Sequence, residues 1–438
     1  MSDILLKNGR IIDPAQNLDV TGDLLIHEGR VAAVGAVAAP KGVETIQCDG
    51  WIICPGFVDL HTHLREPGQE HKETIATGTR AAAAGGFTTV CCMPNTTPMI
   101  DNASVVRDIR DKAMREGVVK VGVNASVIRD YDETKMAEMA DMIEAGAVAL
   151  TDDAFPVQNS ERMRRIIEYL SPLDRVLMVH CEDKALTKGA SMHEGAVSST
   201  LGLTGMPALA EESMVARNIA LAEAAGARLH ICHISTAGAV EMVRQAKMRG
   251  VKVTAEACPH HFALTDDAVV GYDTNAKMNP PLRSAADAEA VRQGLSDGTI
   301  DCIATDHAPH AREEKETPFA DAAFGIVGLE TALGLTLKEL VQPGLLTIND
   351  AIAKLTIEPV GVLTGDHVTL EELGVSWGTL AEGAPADVTV FDAKEEWTVE
   401  PDALNSKSKN TPFGGWTLPG KVMLTLVNGT LMYDGRKG

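Results

Sequence analysis

Six residues spread through the chain share one chemistry. The stretch Gly56-Phe57-Val58-Asp59-Leu60-His61-Thr62-His63-Leu64-Arg65 begins apolar and β-prone and ends in two histidines one residue apart. Side chains of a strand alternate with period two, so His61 and His63 would point the same way. Two imidazoles a pleat apart are a ready pair of metal ligands. Taken alone, the pair reads more readily as half-buried strand histidines than as ligands. Four later apolar runs end in the same residue types, however. Ala147-Val148-Ala149-Leu150 leads into Thr151-Asp152-Asp153, and Val176-Leu177-Met178-Val179 leads into His180. Leu229-His230-Ile231-Cys232 leads into His233, and Cys302-Ile303-Ala304-Thr305 into Asp306. His61, His63, Asp153, His180, His233 and Asp306 are too many for one tetrahedral ion with an open position. They suit two divalent ions sharing a bridging group and an activated water. Nitrogen and oxygen donors without cysteine favour zinc. Spacing does not choose between Asp152 and Asp153 at the end of the 147 run.

Something must bring these run ends together. Eight β runs begin near Phe57, Thr88, Val119, Ala147, Arg175, Arg228, Val251 and Ile300, at intervals of 31, 31, 28, 28, 53, 23 and 49 residues. Helical patterns separate them at 102–116, 133–145, 160–170, 211–225, 236–249 and 285–296, and 326–357 reads as helical again. Strands and helices alternating about every 30 residues form the βαβ repeat, and eight of them make a (β/α)8 TIM-type barrel. Such barrels carry their sites at the C-terminal strand ends, where all six residues fall. The two long intervals hold insertions at roughly 185–210 and 259–285. Residues 1–55 read as short strands, and 375–438 returns to β with an Asn428-Gly429 hairpin signal. The expected organisation is a small β domain built from both ends, 1–55 and 361–438, interrupted by a barrel over 56–360.

Composition limits the partners. The chain has 438 residues, 45% apolar, with a formal charge of −22. So acidic a surface argues against nucleic acid and anionic membrane, though not against a small anionic substrate beside a few local cations. Eight cysteines form no Cys-x-x-Cys pair and sit mostly in apolar runs, a reduced, cytosolic pattern. The opening residues carry no basic n-region and no long apolar run, so neither a signal peptide nor a membrane span is expected. His27, His230, His260, His261 and His367 are off register or outside the barrel, and His71 and His193 read as loop residues. His307 follows Asp306 directly and is expected to point away from the cavity.

At this point the residues resemble a family. Asp59-Leu60-His61-Thr62-His63 and Thr305-Asp306-His307-Ala308-Pro309-His310 are similar to the amidohydrolase superfamily. His61-Thr62-His63-Leu64-Arg65-Glu66-Pro67-Gly68, Met93-Pro94-Asn95-Thr96 and Asn279-Pro280-Pro281-Leu282-Arg283 bring the chain closer to class I, bacterial-type dihydroorotases, over nearly its whole length. The resemblance implies His61, His63, Asp153, His180, His233 and Asp306 as metal ligands. Many superfamily members bridge the metals with a carboxylated lysine after the fourth strand; here Leu150-Thr151-Asp152-Asp153 has none, and the family register gives Asp153 that role. Two zinc ions per subunit are implied, with one as the alternative, because an aspartate bridges less firmly than a carbamate. Arg65, Asn95, Asn279 and His310 are implied to bind substrate, with the backbone near Phe324 and Gly325 lining its ring. Arg65 offers a planar fork for a carboxylate; the plain alternative is a surface arginine paired with Glu66.

The implied reaction is the reversible cyclisation of N-carbamoyl-L-aspartate to dihydroorotate in de novo pyrimidine biosynthesis. Zinc-bound hydroxide attacks the ring carbonyl, and Asp306 serves as general acid/base. Rival readings are an allantoinase or dihydropyrimidinase type, neither of which is expected to carry His-x-His-Leu-Arg, and a non-catalytic partner of aspartate transcarbamoylase. Inactive subunits of that last kind lose metal ligands, whereas all six are present here. A homodimer is the default by family analogy, and association with the transcarbamoylase is compatible with the sequence. The charged segment after His310, 311–323, reads as a lid or as a solvated loop.

Overall fold

A computed structural model describes residues 3–38, 42–365, 373–374 and 378–437. Its strands, in chain order, are β1 (Ile4–Asp13), β2 (Leu18–His27), β3 (Arg30–Gly35), β4 (Glu44–Gln47), β5 (Ile52–Pro55), β6 (Phe57–Thr62), β7 (Phe87–Cys92), β8 (Lys120–Ser126), β9 (Ile128–Arg129), β10 (Asp132–Met136), β11 (Ala147–Thr151), β12 (Leu177–Val179), β13 (Met192–His193), β14 (Gly205–Met206), β15 (Leu229–Ile231), β16 (Val253–Ala257), β17 (Cys302–Ile303), β18 (Val388–Thr398), β19 (Thr417–Val427) and β20 (Thr430–Asp434).

The parallel order β6-β7-β8-β11-β12-β15-β16-β17 is the predicted barrel. A parallel bridge between Thr62 and His307, with the His63 N–H donating to His307 O at 2.8 Å, joins the last strand region to the first. Inside, Val58, Leu60, Cys91, Val148, Met178 and Cys302 pack with Val360 and Leu363 of the helix Ile357–Thr364. Small and medium side chains fill this space because the chain has few aromatics. The second sheet runs β20-β19-β18-β5-β1-β2-β3, with β4 on β1. β5 pairs antiparallel with β18, so the two ends of the chain share one sheet. Asn428 and Gly429, both at positive φ, make the tight turn between β19 and β20. Phe57 packs against Phe87 at 5.7 Å and Phe391 at 6.3 Å, connecting barrel and sheet through one aromatic cluster.

Three local expectations need correction. The helix expected over 133–145 is strand β10, paired with β9, followed by a short helix, Met139–Glu144. Pairing overrides propensity there, and Glu133 is occupied in accepting from the Gln158 N–H at 2.6 Å, beside the Asn159 cap of the next helix. A helix over Ile75–Ala84 is present that the apolar pattern does not predict. Its Thr-Gly-Thr opening has poor helix propensity, yet Thr74 and Thr77 form a capping box. Gly78 permits the approach of Leu64, whose Cδ2 would lie 2.6 Å from an added Cβ. Residues 326–331 are not helical, since Ile326 bridges His307; the helices there begin at Ala332. All eight cysteines are buried and unpaired. No helix among the described residues is long and apolar enough to cross a membrane.

Candidate metal centre

The C-terminal ends of β6, β11, β12, β15 and β17 bring His61, His63, Asp153, His180, His233 and Asp306 into one buried cluster. Asp153 lies at its middle and uses its two oxygens differently. Asp153 Oδ2 lies 3.6 Å from His61 Nε2 and 3.8 Å from His63 Nε2. Asp153 Oδ1 lies 3.3 Å from His180 Nδ1 and 3.4 Å from His233 Nε2. Asp306 Oδ1 joins the first pair, 3.5 Å from His61 Nε2 and 3.0 Å from His63 Nε2. The neighbouring Asp152 faces the other way, accepting from the backbone N–H groups of His180 and Val157.

These donors fit divalent cations. His61 Nε2 and Asp153 Oδ2 are buried without a hydrogen-bond partner, a costly state for polar atoms unless something satisfies them. Three of the four imidazoles have their other ring nitrogen tied, as ligating histidines do. His61 Nδ1 meets Glu256 Oε1 at 2.6 Å, His63 Nδ1 meets Asn95 Oδ1 at 2.8 Å, and His180 Nε2 meets Glu182 Oε2 at 2.9 Å. The field agrees. Burial works against the His61 imidazolium, but Asp306, Asp153 and Glu256 raise its pKa well above the usual value. Burial likewise opposes ionisation of Asp153, and the facing histidines hold its carboxyl well below the usual range. A place that draws protons onto imidazoles draws a cation in the same way.

The other predicted residues surround this cluster. A cavity of about 260 Å³ is lined by Arg65, Asn95, Asn279, His310 and Phe324 together with four of the six central groups. Arg65 reaches it by a route that strand alternation does not describe. β6 ends at Thr62, and Arg65 sits in a turn at φ 64°. Its Nε donates to Pro309 O at 3.1 Å, and its Nη2 lies 3.2 Å from His310 Nε2. Glu66 is not its partner; that carboxylate takes Lys112 and the Ile75 N–H. Burial lowers the Arg65 pKa to about 10, so the group is charged at neutral pH. Burial also pushes His310 down to about 4, leaving it neutral. Asn279 donates to Glu182 at 2.9 Å. Gly325 donates its N–H to Lys277 O at 2.9 Å, and a Cβ there would meet Ala308 O at 2.4 Å.

The remaining histidines lie outside the cluster. His307 turns away, 3.5 Å from Glu73. His260 and His261 stack on each other at 4.3 Å, and His261 Nε2 lies 2.9 Å from Pro280 O. His27 pairs with Asp3, His193 lies 3.3 Å from Arg283, His71 lies in a turn, and His367 is outside the described residues. In the segment after His310, Lys315 Nζ donates to Ala323 O at 2.8 Å and Gly325 O at 3.1 Å.

Comparison with known proteins gives the family. A sequence profile described as dihydro-orotase-like matches residues 50–239. The chain is 51% identical over 433 residues to a dihydroorotase of Syntrophus aciditrophicus, covering 98% of this chain and 99% of that protein. It is 50% identical to a dihydroorotase of Pelotomaculum thermopropionicum, covering 99% of each. The chain belongs to the dihydroorotase family. Among solved structures, an L-hydantoinase (dihydropyrimidinase) of Arthrobacter aurescens superposes with a TM-score of 0.87 at 26% identity, over 99% of this chain and 96% of that one.

Within this dihydroorotase-family barrel, sequence reasoning overlooks three buried carboxylates. Asp59 accepts from His61 N at 3.0 Å and from Thr305 Oγ1 at 2.5 Å, and Glu182 and Glu256 orient His180 and His61. A signal was present in each case: a charged residue inside or just beyond an otherwise apolar strand, which is rarely buried without a partner.

Proposed function

We propose that the chain is a class I, bacterial-type dihydroorotase that interconverts N-carbamoyl-L-aspartate and dihydroorotate in de novo pyrimidine biosynthesis. The observation that carries this reading is the placing of Asp153 between two histidine pairs, with Arg65 in the same cavity. His61, His63 and Asp306 would hold one zinc ion, His180 and His233 a second, and Asp153 would bridge them. When bound, the ions supply Lewis acidity at the scissile carbonyl and lower the pKa of water towards ~7.

The chain's own groups do the rest. The Arg65 fork takes the substrate carboxylate, while Nε stays anchored on Pro309. Neutral His310 accepts from Arg65 and holds the guanidinium in place, the amide N–H groups of Asn95 and Asn279 donate to the ring, and Phe324 and Gly325 form its wall. In hydrolysis Asp306 orients the attacking water, removes its proton and delivers it to the departing ring nitrogen. In cyclisation Asp306 takes the proton from the carbamoyl nitrogen as that nitrogen closes on the side-chain carboxylate carbon and returns it to the departing oxygen, which takes up one further proton from solvent to leave as water. Burial of the cluster excludes bulk water and keeps these charges effective.

We further assign 1–55 and 361–438 to one small β domain and 56–360 to the barrel. The enzyme is read as a cytoplasmic homodimer, and association with aspartate transcarbamoylase is tested by co-purification. Elemental analysis of the purified protein beside an assay of dihydroorotate hydrolysis tests the reading. Expected are two zinc equivalents and turnover that chelation abolishes and zinc restores; hydrolysis unaffected by complete metal removal would overturn it.

A further inference from the structure

Behind His61 lies a hydrogen-bonded chain that none of the proposed catalytic steps uses. Glu256 sits on β16, fully buried, with no ammonium or guanidinium group hydrogen-bonded to it among the described residues. Its Oε1 lies 2.6 Å from His61 Nδ1 and accepts from the His233 backbone N–H at 3.3 Å. Its Oε2 lies 3.1 Å from His230 Nε2. His230 Nδ1 lies 2.8 Å from Thr254 Oγ1. One proton arrangement satisfies all of these contacts with neutral imidazoles. A carboxylate has no proton to give, so both histidines donate to it. His230 then carries its hydrogen on Nε2, and its Nδ1 accepts from the Thr254 hydroxyl. His61 carries its hydrogen on Nδ1, which leaves a lone pair on Nε2.

That lone pair is the point of the arrangement. It lies 3.6 Å from Asp153 Oδ2 and 3.5 Å from Asp306 Oδ1, and His61 Nε2 has no hydrogen-bond partner. A lone pair facing two carboxylate oxygens is repulsive unless a cation stands between them. With its hydrogen on Nε2 instead, the same ring would bond a carboxylate directly and compete with the cation. The other half of the cluster has its own orienting carboxylate. Glu182 takes His180 Nε2 at 2.9 Å, and Asn279 and Lys184 support it in turn. Glu256 touches that half only through the His233 backbone amide.

We propose that Glu256, backed by His230, is a positioning residue that locks the His61 tautomer and so sets the affinity of the His61–His63–Asp306 half for its divalent ion, while Glu182 does the same for the His180–His233 half. This rests on the binuclear reading of the centre. The rival is a merely structural Glu256 that ties β6, β15 and β16 together, and it predicts no difference between the two halves.

The test has two arms. The first uses zinc-loaded wild-type protein, in which His61 cannot be an imidazolium, and reads its protonated nitrogen from long-range ¹H–¹⁵N NMR correlations. The expected result is His61 protonated at Nδ1 towards Glu256, with Nε2 left to the ion; a His61 protonated at Nε2 overturns the proposal without touching the fold. The second arm titrates zinc against a chromophoric chelator in wild type, Glu256→Gln, His230→Gln and Glu182→Gln, with folding checked by circular dichroism. Metal-perturbed histidine signals tell the two halves apart. Glu256→Gln should weaken the ion at His61 and His63 by ~10–100-fold, as loss of an outer-shell partner does, with the other ion within about threefold. His230→Gln should weaken the same ion by a smaller factor, and Glu182→Gln the opposite one. Equal weakening of both ions by Glu256→Gln, or of neither, overturns the proposal. A wild-type protein that takes a single ion removes the binuclear reading separately: if the ion sits on His61 the Glu256 effect must still appear, and if it sits only on His180 and His233 the proposal fails.

Discussion

Replacing Arg65 by alanine isolates the group that would tell dihydroorotate from rings lacking a carboxylate. The Arg65 side chain is 5% exposed, and its Nε is committed to Pro309 O at 3.1 Å. Nη1, and the second hydrogen of Nη2 beside the one that faces His310, remain to pair with a carboxylate in the cavity. A hydrogen bond to a charged group contributes ~1.5–3 kcal/mol, so a two-pronged contact contributes roughly 3–5 kcal/mol. At ~1.4 kcal/mol per decade, kcat/KM for dihydroorotate should fall by ~10²–10⁴-fold. The contact persists through the reaction, so most of the loss should appear in KM. The carboxylate-free ring dihydrouracil controls for damage to the centre. Its residual hydrolysis should change by less than about fivefold, because Arg65 has nothing to grip. Arg65→Lys should recover only part of the loss, since an ammonium cannot present two parallel donors. Steady-state assays of both substrates with all three proteins decide the matter. An unchanged KM for dihydroorotate, or equal losses on both substrates, would refute the carboxylate clamp.

Three further outcomes follow from the same geometry. Asp306→Asn should leave zinc content near normal by elemental analysis and lower kcat at least ~10²-fold; turnover like wild type would remove it as the acid/base. Stripping the metal should lower the melting temperature, because buried carboxylates and lone pairs then face one another; ions at ~100 times their Kd stabilise by ~2.7 kcal/mol, and identical melting curves with and without chelator would count against a metal centre. Lys315 gives a pH signature away from the site: burial, then the neighbouring Lys277 charge, lowers its pKa from 10.5 to about 7. The folded state therefore binds fewer protons than the unfolded one between about pH 7 and pH 10.5, so this group makes stability rise with pH across that window. Urea unfolding at pH 7 and pH 9 should show wild type gaining on the order of 1–2 kcal/mol relative to Lys315→Met, and parallel curves for the two proteins would exclude the effect.

The barrel was readable because its signal is repetitive. Apolar runs near Phe57, Thr88, Ala147 and Arg228 recur with helical patterns between them, and each strand register survives small errors at its ends. The six central residues were readable for a related reason: each stands at the C-terminal end of a strand or within three residues of it, so their convergence follows from the repeat alone. What escaped depends on contacts between distant parts of the chain. The helix Ile75–Ala84 rests on a threonine capping box and on a glycine that must pass Leu64, neither of which shows as apolar periodicity. Strand β10 is held by pairing with β9 against the pull of its own sequence. Arg65 arrives in the cavity through a left-handed turn rather than by strand alternation. Glu256 and Glu182 signalled only that a charge is buried in or beside an apolar strand; their role acquires meaning only when the histidine each faces is known. The choice between Asp152 and Asp153 was of the same kind: adjacent side chains point in opposite directions, and the structure turns Asp153 towards the four histidines.

The central claim joins a two-ion hydrolytic centre to a carboxylate clamp in one cavity. Its most direct test is a substrate panel for the zinc-loaded protein: kcat/KM for dihydroorotate, dihydrouracil, hydantoin and allantoin under identical conditions. The account predicts that dihydroorotate is preferred over each of the others by at least ~10²-fold, the low end of the Arg65 contribution. Comparable or faster turnover of dihydrouracil or hydantoin would contradict it and place the chain's chemistry with the hydantoinase-like enzymes whose fold it shares.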